Sequence, residues 1–375
     1  MKQTNKILQN WKSLELGTFV DLSNEKYVPN INENIPCIEL ECIEQETGIL
    51  LKKISSRDLN STKNRFYKNN VLFGKLRPYL KKYYLATFDG VCSSEIWVLI
   101  ANNKICLNKY LFCLIQTQRF LYYANKSSGS KMPRADWNIV SQSTFLLPPI
   151  KEQEKIVEIL ELWDKAIETT KKLIEQKKLQ KKYLMQKLLT GKIRLKGFKD
   201  KWKKEIIGNI CKKITTGKLD ANAMIKNGKY RFYTCAQDFF FINEYAFDTE
   251  ALLISGNGSH VGYIHYYKGK FNAYQRTYVL SDFTENIFFI KFLLDIKLKK
   301  RIESEKNEGN TPYIKLNTLA KMSVFIPVNR NEQKMIVDIL STADNQINLL
   351  EQKLSDLELQ KKGLMQKLLT GQIRV

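Results

Sequence analysis

LMQKLLTGKIRL at residues 184–195 comes back as LMQKLLTGQIRV at 364–375, 180 positions further on. The match runs backward without a gap: Glu152 and Gln153 fall on Glu332 and Gln333, Ile156 and Val157 on Ile336 and Val337, and Asp164 on Asp344. About half the positions of the two segments are identical. Similarity at the spacing of a whole domain, rather than a few dozen residues, indicates a duplicated unit and argues against a solenoid. The chain therefore reads as two halves, each a globular part followed by a long helix. The expected boundaries are globular residues 1–150, helix 151–190, linker 191–201, globular residues 202–330 and helix 331–375.

In the second helix, apolar residues fall at Leu340, Ala343, Ile347, Leu350, Leu354, Leu357, Leu364 and Leu368, the alternating three-and-four spacing of a coiled-coil seam. Only Lys361 interrupts it. The first helix keeps the frame with Leu160, Trp163, Ile167, Ile174, Leu184 and Leu188, but puts Thr170, Lys177 and Lys181 in seam seats, so it is the weaker of the two. A helix from 151 to 189 would be roughly 58 Å long at about 1.5 Å per residue, the dimension of a spacer. Pro148 and Pro149 precede one helix and Asn331 is the expected N-cap of the other, while Gly191 and Gly371 stand where glycines stop helices. Two seams in one chain are buried most simply by antiparallel pairing, which implies an approximate two-fold relation between the halves.

Lys and Arg number 61 against 38 acidic residues, a formal charge of +23 that points to a polyanionic partner. The opening MKQTNKILQNWK has no apolar signal core and no run approaches a membrane span, so a cytoplasmic protein without membrane contact is expected. Cys37, Cys42, Cys92, Cys106, Cys113, Cys211 and Cys235 include no C-x-x-C pair and read as small core residues. His260 and His265 lie far from any acidic or cysteine cluster, so no metal site is expected.

In chain order the first half reads as strands at IPCIELECI (35–43), GILLKKI (48–54), within 69–90 and at SEIWVLIA (94–101), then a helix at 108–127, a glycine loop SSGSKMPRADW and the strand TFLLP. The second half repeats this order loosely, with YRFYTC, ALLISG, YIHYYKG and FNAYQRTYVL as strands, a helix from about 285, and EGNTPYIKLN leading into SVFIP. Pro133 to Pro148 and Pro312 to Pro327 have the same spacing, which ties loop, strand and helix start into one shared module. The expected class is α+β (mixed α/β), with two tandem globular domains separated by two long antiparallel helices.

FGKLRPYL (73–80) followed by FDGVCSSEIWVL (88–99), SGSKMP before LPPIKEQEKIV (147–157), SGNGSHVGYIHYYKGKFNAYQRTYVL, TPYIKLN before IPVNRNEQKMIV, and the twin LMQKLLTG ends together resemble the DNA-specificity subunits of type I restriction-modification systems. The resemblance covers nearly the whole chain. It implies two target recognition domains, each reading one half of a bipartite, asymmetric site on double-stranded DNA. It also implies helices that dock two methyltransferase subunits and set the gap between half-sites, with restriction subunits joining the larger assembly. No catalytic residue and no cofactor would then belong to this chain: S-adenosylmethionine, ATP and magnesium would sit on the partners.

The residues agree with that absence of chemistry. LPPI at 147–150 is helix punctuation, there is no G-x-x-x-x-G-K-[ST] loop, SGNGSHVG at 255–262 lacks dinucleotide spacing, and no carboxylate cluster suits a nuclease metal. Candidate DNA contacts are basic, amide and small polar residues on loops, which neutralise phosphates or bond base edges. In the first half these are Lys75, Arg77, Lys81, Lys131 and Arg134, and in the second Asn257, Ser259, His260, Gln275, Arg276, Tyr313 and Lys315. Gly129 and Gly309 are assigned to loop geometry. Two competing classes are a stand-alone nucleic-acid-modifying enzyme with an unrecognised site, and a coiled-coil scaffold whose basic charge is incidental.

Overall fold

The computed structural model describes residues 10–126, 132–305 and 313–375. Cα packing divides the chain into two compact units, Met1–Lys171 with Lys353–Val375, and Lys172–Gln352. Both mix strands and helices, as the α+β expectation requires.

In the first unit, Lys12–Glu15 pairs antiparallel with Thr144–Leu147 at the foot of the first long helix. A four-stranded sheet runs in the order Val20–Leu22, Ile96–Ala101, Val71–Gly74, Tyr83–Leu85. A five-stranded sheet runs Lys26–Tyr27, Lys63–Phe66, Gly90–Cys92, Pro36–Ile38, Ile54–Ser55. Helices Asn108–Leu114 and Gln118–Ala124 pack Tyr110, Leu111, Phe120 and Leu121 onto the first sheet. The expected single helix over 108–127 is thus broken, and Thr117 supplies the new N-cap by accepting from Phe120 N–H. The runs at 35–43 and 48–54 are mostly irregular, because a 3₁₀ turn at Leu40–Cys42 ends the strand that Pro36 begins.

The second unit repeats the frame. Lys203–Ile206 pairs with Ser323–Ile326, and a six-stranded sheet begins in the same order as its counterpart: Cys211–Thr216, Thr277–Phe283, Phe247–Ser255, Ile264–Ala273. It then continues through Tyr230–Tyr233 and Phe240–Ile242, where the first unit builds a separate sheet. YIHYYKG and FNA form one strand, since Gly269 takes φ +131° without breaking the ladder. Helix Ile287–Glu305 buries Phe289, Ile290, Leu293 and Leu294 in the core.

The long helices span Ile150–Leu188 and Arg330–Leu369. Gly191 (φ +68°) and Gly371 (φ +71°) follow them in the left-handed conformation that a Cβ disfavours. Asn331 is not the cap of the second helix: the helix begins one residue before it, and Asn329 Oδ1 accepts from Asn331 N–H at 2.9 Å.

Each unit holds the start of one long helix antiparallel to the end of the other. In the first, Asp164 meets Lys361 and Lys171 Nζ lies 2.9 Å from Glu358 Oε1. In the second, Lys181 meets Asp344 and Lys178 Nζ lies 2.9 Å from Glu351 Oε1. Two of the three lysines that interrupt the seam in sequence, Lys361 and Lys181, are therefore each met by an aspartate on the facing helix, at positions that the repeat makes equivalent. Of the apolar seats, Leu160, Ile174, Leu188, Leu340, Ile347 and Leu368 are buried; Trp163, Ile167, Leu184, Leu350, Leu354, Leu357 and Leu364 are half-buried.

Helix ends close on the globular cores through repeated chemistry. Gln153, fully buried, accepts from Leu107 N–H and donates to the Ile105 and Pro148 carbonyls; Gln333, also fully buried, accepts from Asn286 N–H and donates to Pro327 O and Glu285. Glu152 receives a two-point fork from Arg374 (2.5 and 2.8 Å), and Glu332 receives the same fork from Arg194 (2.7 and 2.9 Å).

Candidate nucleic-acid interface

In both units one junction of three backbone segments gathers most of the sequence-selected residues. In the first, Lys75 N–H donates to Glu95 O (2.9 Å), Ala135 N–H donates to Lys75 O (2.8 Å), and Leu76 faces Arg134 in an antiparallel bridge. In the second, Gly256 N–H donates to Arg276 O (2.9 Å), Ile314 N–H donates to Gly256 O (2.7 Å), and Asn257 faces Tyr313. The two bonds and the bridge are the same in both units. The closeness is strict at Gly256, where a Cβ would lie 2.3 Å from Arg276 O.

Around the first junction Arg77 and Lys81 flank the 3₁₀ turn Pro78–Leu80, both left-handed (φ 53° and 50°). Non-glycine residues in this region cost about 1–2 kcal/mol each. Two bonds hold the conformation: Arg77 N–H to Pro133 O, and Glu46 N–H to Lys81 O. Lys81 is turned to Glu46 (2.8 Å), and this hydrogen bond holds the Glu46 carboxyl below its ordinary pKa. Lys81, like Arg134, thus lies in contact with a carboxylate. Arg134 is exposed and donates from Nε to Glu95 Oε2 at 3.0 Å, a bond that raises the guanidinium pKa. Lys131 lies outside the described residues, as do Gly129 and Gly309.

Around the second junction, Ser259 and His260 are exposed on the turn joining Phe247–Ser255 to Ile264–Ala273. The glycine-rich run at 255–262 thus links antiparallel strands and leads into no helix. Gln275 and Arg276 sit on the tight turn closed by Thr277 N–H to Tyr274 O (2.8 Å). Tyr313 is exposed, with Lys315 Nζ 5.7 Å from its ring, and Tyr278 Oη donates to Ile314 O beneath it. His265 is half-buried against Tyr233 and Tyr263, and this partial burial lowers its pKa.

Two features went unread in the sequence. Glu95, which directly precedes the strand Ile96–Ala101, is the acidic member of the first junction. Arg231 of YRFYTC has its guanidinium between the rings of Phe239 (4.2 Å) and Tyr267 (4.6 Å), an aromatic cluster visible only once strands 230–233, 240–242 and 264–273 are adjacent. Among the described residues no group of three His, Cys, Asp or Glu side chains could hold a metal, and no helix is long and apolar enough to cross a membrane. Six of the seven cysteines are buried; Cys235 is partly exposed.

The chain is thus a duplicated α+β protein in which each unit carries an exposed, polar loop junction. The model of the type I restriction modification DNA specificity domain matches it twice, over residues 9–178 and 199–359, and the chain belongs to that family. It is similar to the EcoDI specificity subunit of Escherichia coli (40% identity over 170 residues, 45% of this chain and 37% of that one). It is also similar to the MjaVIII specificity subunit of Methanocaldococcus jannaschii (24% over 413 residues, 99% of this chain and 94% of that one). Its fold is shared with the S subunit from M. genitalium (TM-score 0.60, 17% identity, 96% of each chain). A chain from a type I restriction-modification system whose assembly and conformational transition were solved shares it too (TM-score 0.64, 19% identity, 97% of this chain and 98% of that one).

Proposed function

We propose that this chain is the sequence-reading, non-catalytic subunit of a type I restriction-modification complex, and that each half reads one half of a bipartite, asymmetric target on double-stranded DNA. The observation that carries the proposal is the repeated junction: one backbone arrangement, fixed by the same two bonds and one bridge, presents Arg134 in one half and Asn257, Arg276 and Tyr313 in the other. A net charge of +23 supplies the attraction to phosphates, and the exposed loop residues supply hydrogen bonds to base edges. Lys75, Arg77, Ser259, His260, Gln275 and Lys315 border the junctions and act as phosphate or edge contacts. Lys131, next to Met132 in sequence, joins this proposal on charge alone.

The long helices carry the partners. Leu179 and Leu359, equivalent by the repeat and both inside an LQKK run, expose 64% and 70% of their surface. Two equivalent exposed leucines on two equal helices suit two copies of one partner, which we take to be the methyltransferase subunit; restriction subunits join that complex. S-adenosylmethionine, ATP and magnesium belong to those partners, in the cytoplasm where the chromosome lies.

Titrating the full chain with duplex DNA at 50 and 200 mM salt tests this reading. Affinity is expected to fall steeply with salt and to depend on sequence. Binding that is absent or salt-insensitive would restore the scaffold, and turnover by the chain alone with S-adenosylmethionine or magnesium would restore the enzyme.

A further inference from the structure

The bond pattern of the two junctions aligns them residue by residue more finely than their sequences do. Lys75 takes the place of Gly256, Leu76 that of Asn257, Glu95 that of Arg276, and Arg134 that of Tyr313. We infer that three of these positions, 76/95/134 and 257/276/313, form one reading register used twice, and that their different occupants make the two half-sites different. This rests on the DNA-reading proposal above and names the residues that carry its specificity.

The chemistry at five of these six positions supports the assignment, Leu76 carrying no hydrogen-bonding group. Arg134 is tied to Glu95 through Nε, so its planar end is oriented while neither terminal nitrogen is hydrogen-bonded among the described residues. An oriented guanidinium fork matches the O6 and N7 acceptors of guanine in the major groove. Glu95 also argues against a phosphate ligand: a phosphate drawn to Arg134 would meet a carboxylate 3.0 Å from the same side chain, whereas a base edge carries no full charge. Glu95 is accordingly a positioning residue for Arg134. In the second half the sign is reversed at that place. Arg276 is exposed on its turn and forms no ion pair among the described residues, while Asn257, held beside it by the Gly256 bonds, carries the amide that suits adenine. Tyr313 offers an exposed ring and hydroxyl where the first half has Arg134.

The test is selection of bound duplexes from a randomised library by the full chain, comparing wild type with Arg134→Ala, Arg134→Lys, Glu95→Gln, Asn257→Ala and Arg276→Ala. Wild type is expected to enrich a two-part motif. Arg134→Ala should erase the preference at one G·C pair of one part, with a loss of about tenfold to a hundredfold on the best duplex, and leave the other part intact. Arg134→Lys should relax the same pair while keeping most overall affinity, and Glu95→Gln should broaden that pair alone. Arg276→Ala and Asn257→Ala should alter only the other part. An enriched motif that no variant changes, or a uniform loss on all duplexes from Arg134→Ala and Arg276→Ala, overturns the register and leaves the DNA-reading proposal standing. A wild-type chain that enriches no motif overturns the DNA-reading proposal itself.

Discussion

Glu152 and Glu332 close the two halves in the same way but keep different company. Each is nearly buried, each receives both arms of an arginine, and each arginine stacks its charge over a tryptophan, Arg374 over Trp11 and Arg194 over Trp202. Trp11 Nε1–H donates to Glu152 at 3.1 Å, whereas Trp202 Nε1 is buried without a partner among the described residues. The ion pair has outlasted the drift of its surroundings. At the loop junctions the opposite has happened, for there the backbone bonds persist and the side chains differ at every matched position. The two copies have kept closure and let the junction side chains diverge.

The largest test of that contrast removes the leucines that plug the two cores. Leu188 and Leu368 occupy equivalent places at the ends of the long helices and are both buried. Leu188→Ala and Leu368→Ala should each cost about 2–5 kcal/mol, the range for a buried leucine. Denaturant unfolding measures this, and a difference between the two beyond about 1 kcal/mol would show that the closures are not energetically equivalent.

The clasps come next. Glu152→Ala and Glu332→Ala each leave an arginine without its carboxylate, and a loss of about 2–4 kcal/mol is expected, less than for a fully buried pair because the arginines keep some contact with water. Glu152→Ala should cost about 1 kcal/mol more, because it also strands the Trp11 N–H. Equal losses, or the reverse order, would mean that the tryptophan bond contributes nothing. Melting curves of the two variants decide between these outcomes.

A smaller effect separates the halves by pH. Both histidines lie in the second half, and burial holds His265 below its ordinary pKa of about 6.5. As pH falls below that value the unfolded chain takes up the proton before the folded one. Stability is therefore full above about pH 6.5 and is lost as pH falls through the depressed folded value. His265→Gln should remove this acid-side loss, which a comparison of melting at pH 7.5 and 5.5 measures. An identical pH dependence in the variant would place the loss elsewhere.

What the sequence made legible follows from how locally each feature is encoded. Helix length, the seam and the stop glycines rest on spacing within one segment, and the repeat supplied a second copy against which to check them. Lys361 and Lys181 looked like defects because their partners, Asp164 and Asp344, lie on the other helix and no spacing rule joins them. Residues 35–54 looked like strands from apolar content, yet Leu40 and Cys42 bury themselves through a turn. The strand Cys211–Thr216 was missed because its CKKITT has no apolar alternation; it is placed by pairing with Thr277–Phe283. At the junctions, basic residues announced themselves by charge. Glu95 did not, since an acidic residue on such a loop becomes meaningful only when Arg134 is seen beside it. The contact of Lys81 with Glu46 was hidden in the same way, the two lying far apart in sequence.

The finest difference between the copies lies in the seam charges. Asp164 with Lys361 and Asp344 with Lys181 are the same pair written twice, so the repeat treats both helices alike there. Lys171 with Glu358 and Lys178 with Glu351 are different: the equivalent positions are Lys171 and Glu351, and Lys178 and Glu358, so the first helix is positive at both seats and the second negative at both. Two copies of the first helix placed face to face would set lysine against lysine, and two copies of the second glutamate against glutamate. The unlike pairing removes both repulsions. Because these side chains are exposed, reversing them should matter little: Lys171→Glu with Lys178→Glu should lower the melting temperature by about 2 °C at low salt. Adding Glu351→Lys and Glu358→Lys should restore it, and about 0.5 M salt should erase the difference by screening. If the fourfold variant melts no higher than the double variant at low salt, the charge pattern has no part in choosing which helix pairs with which.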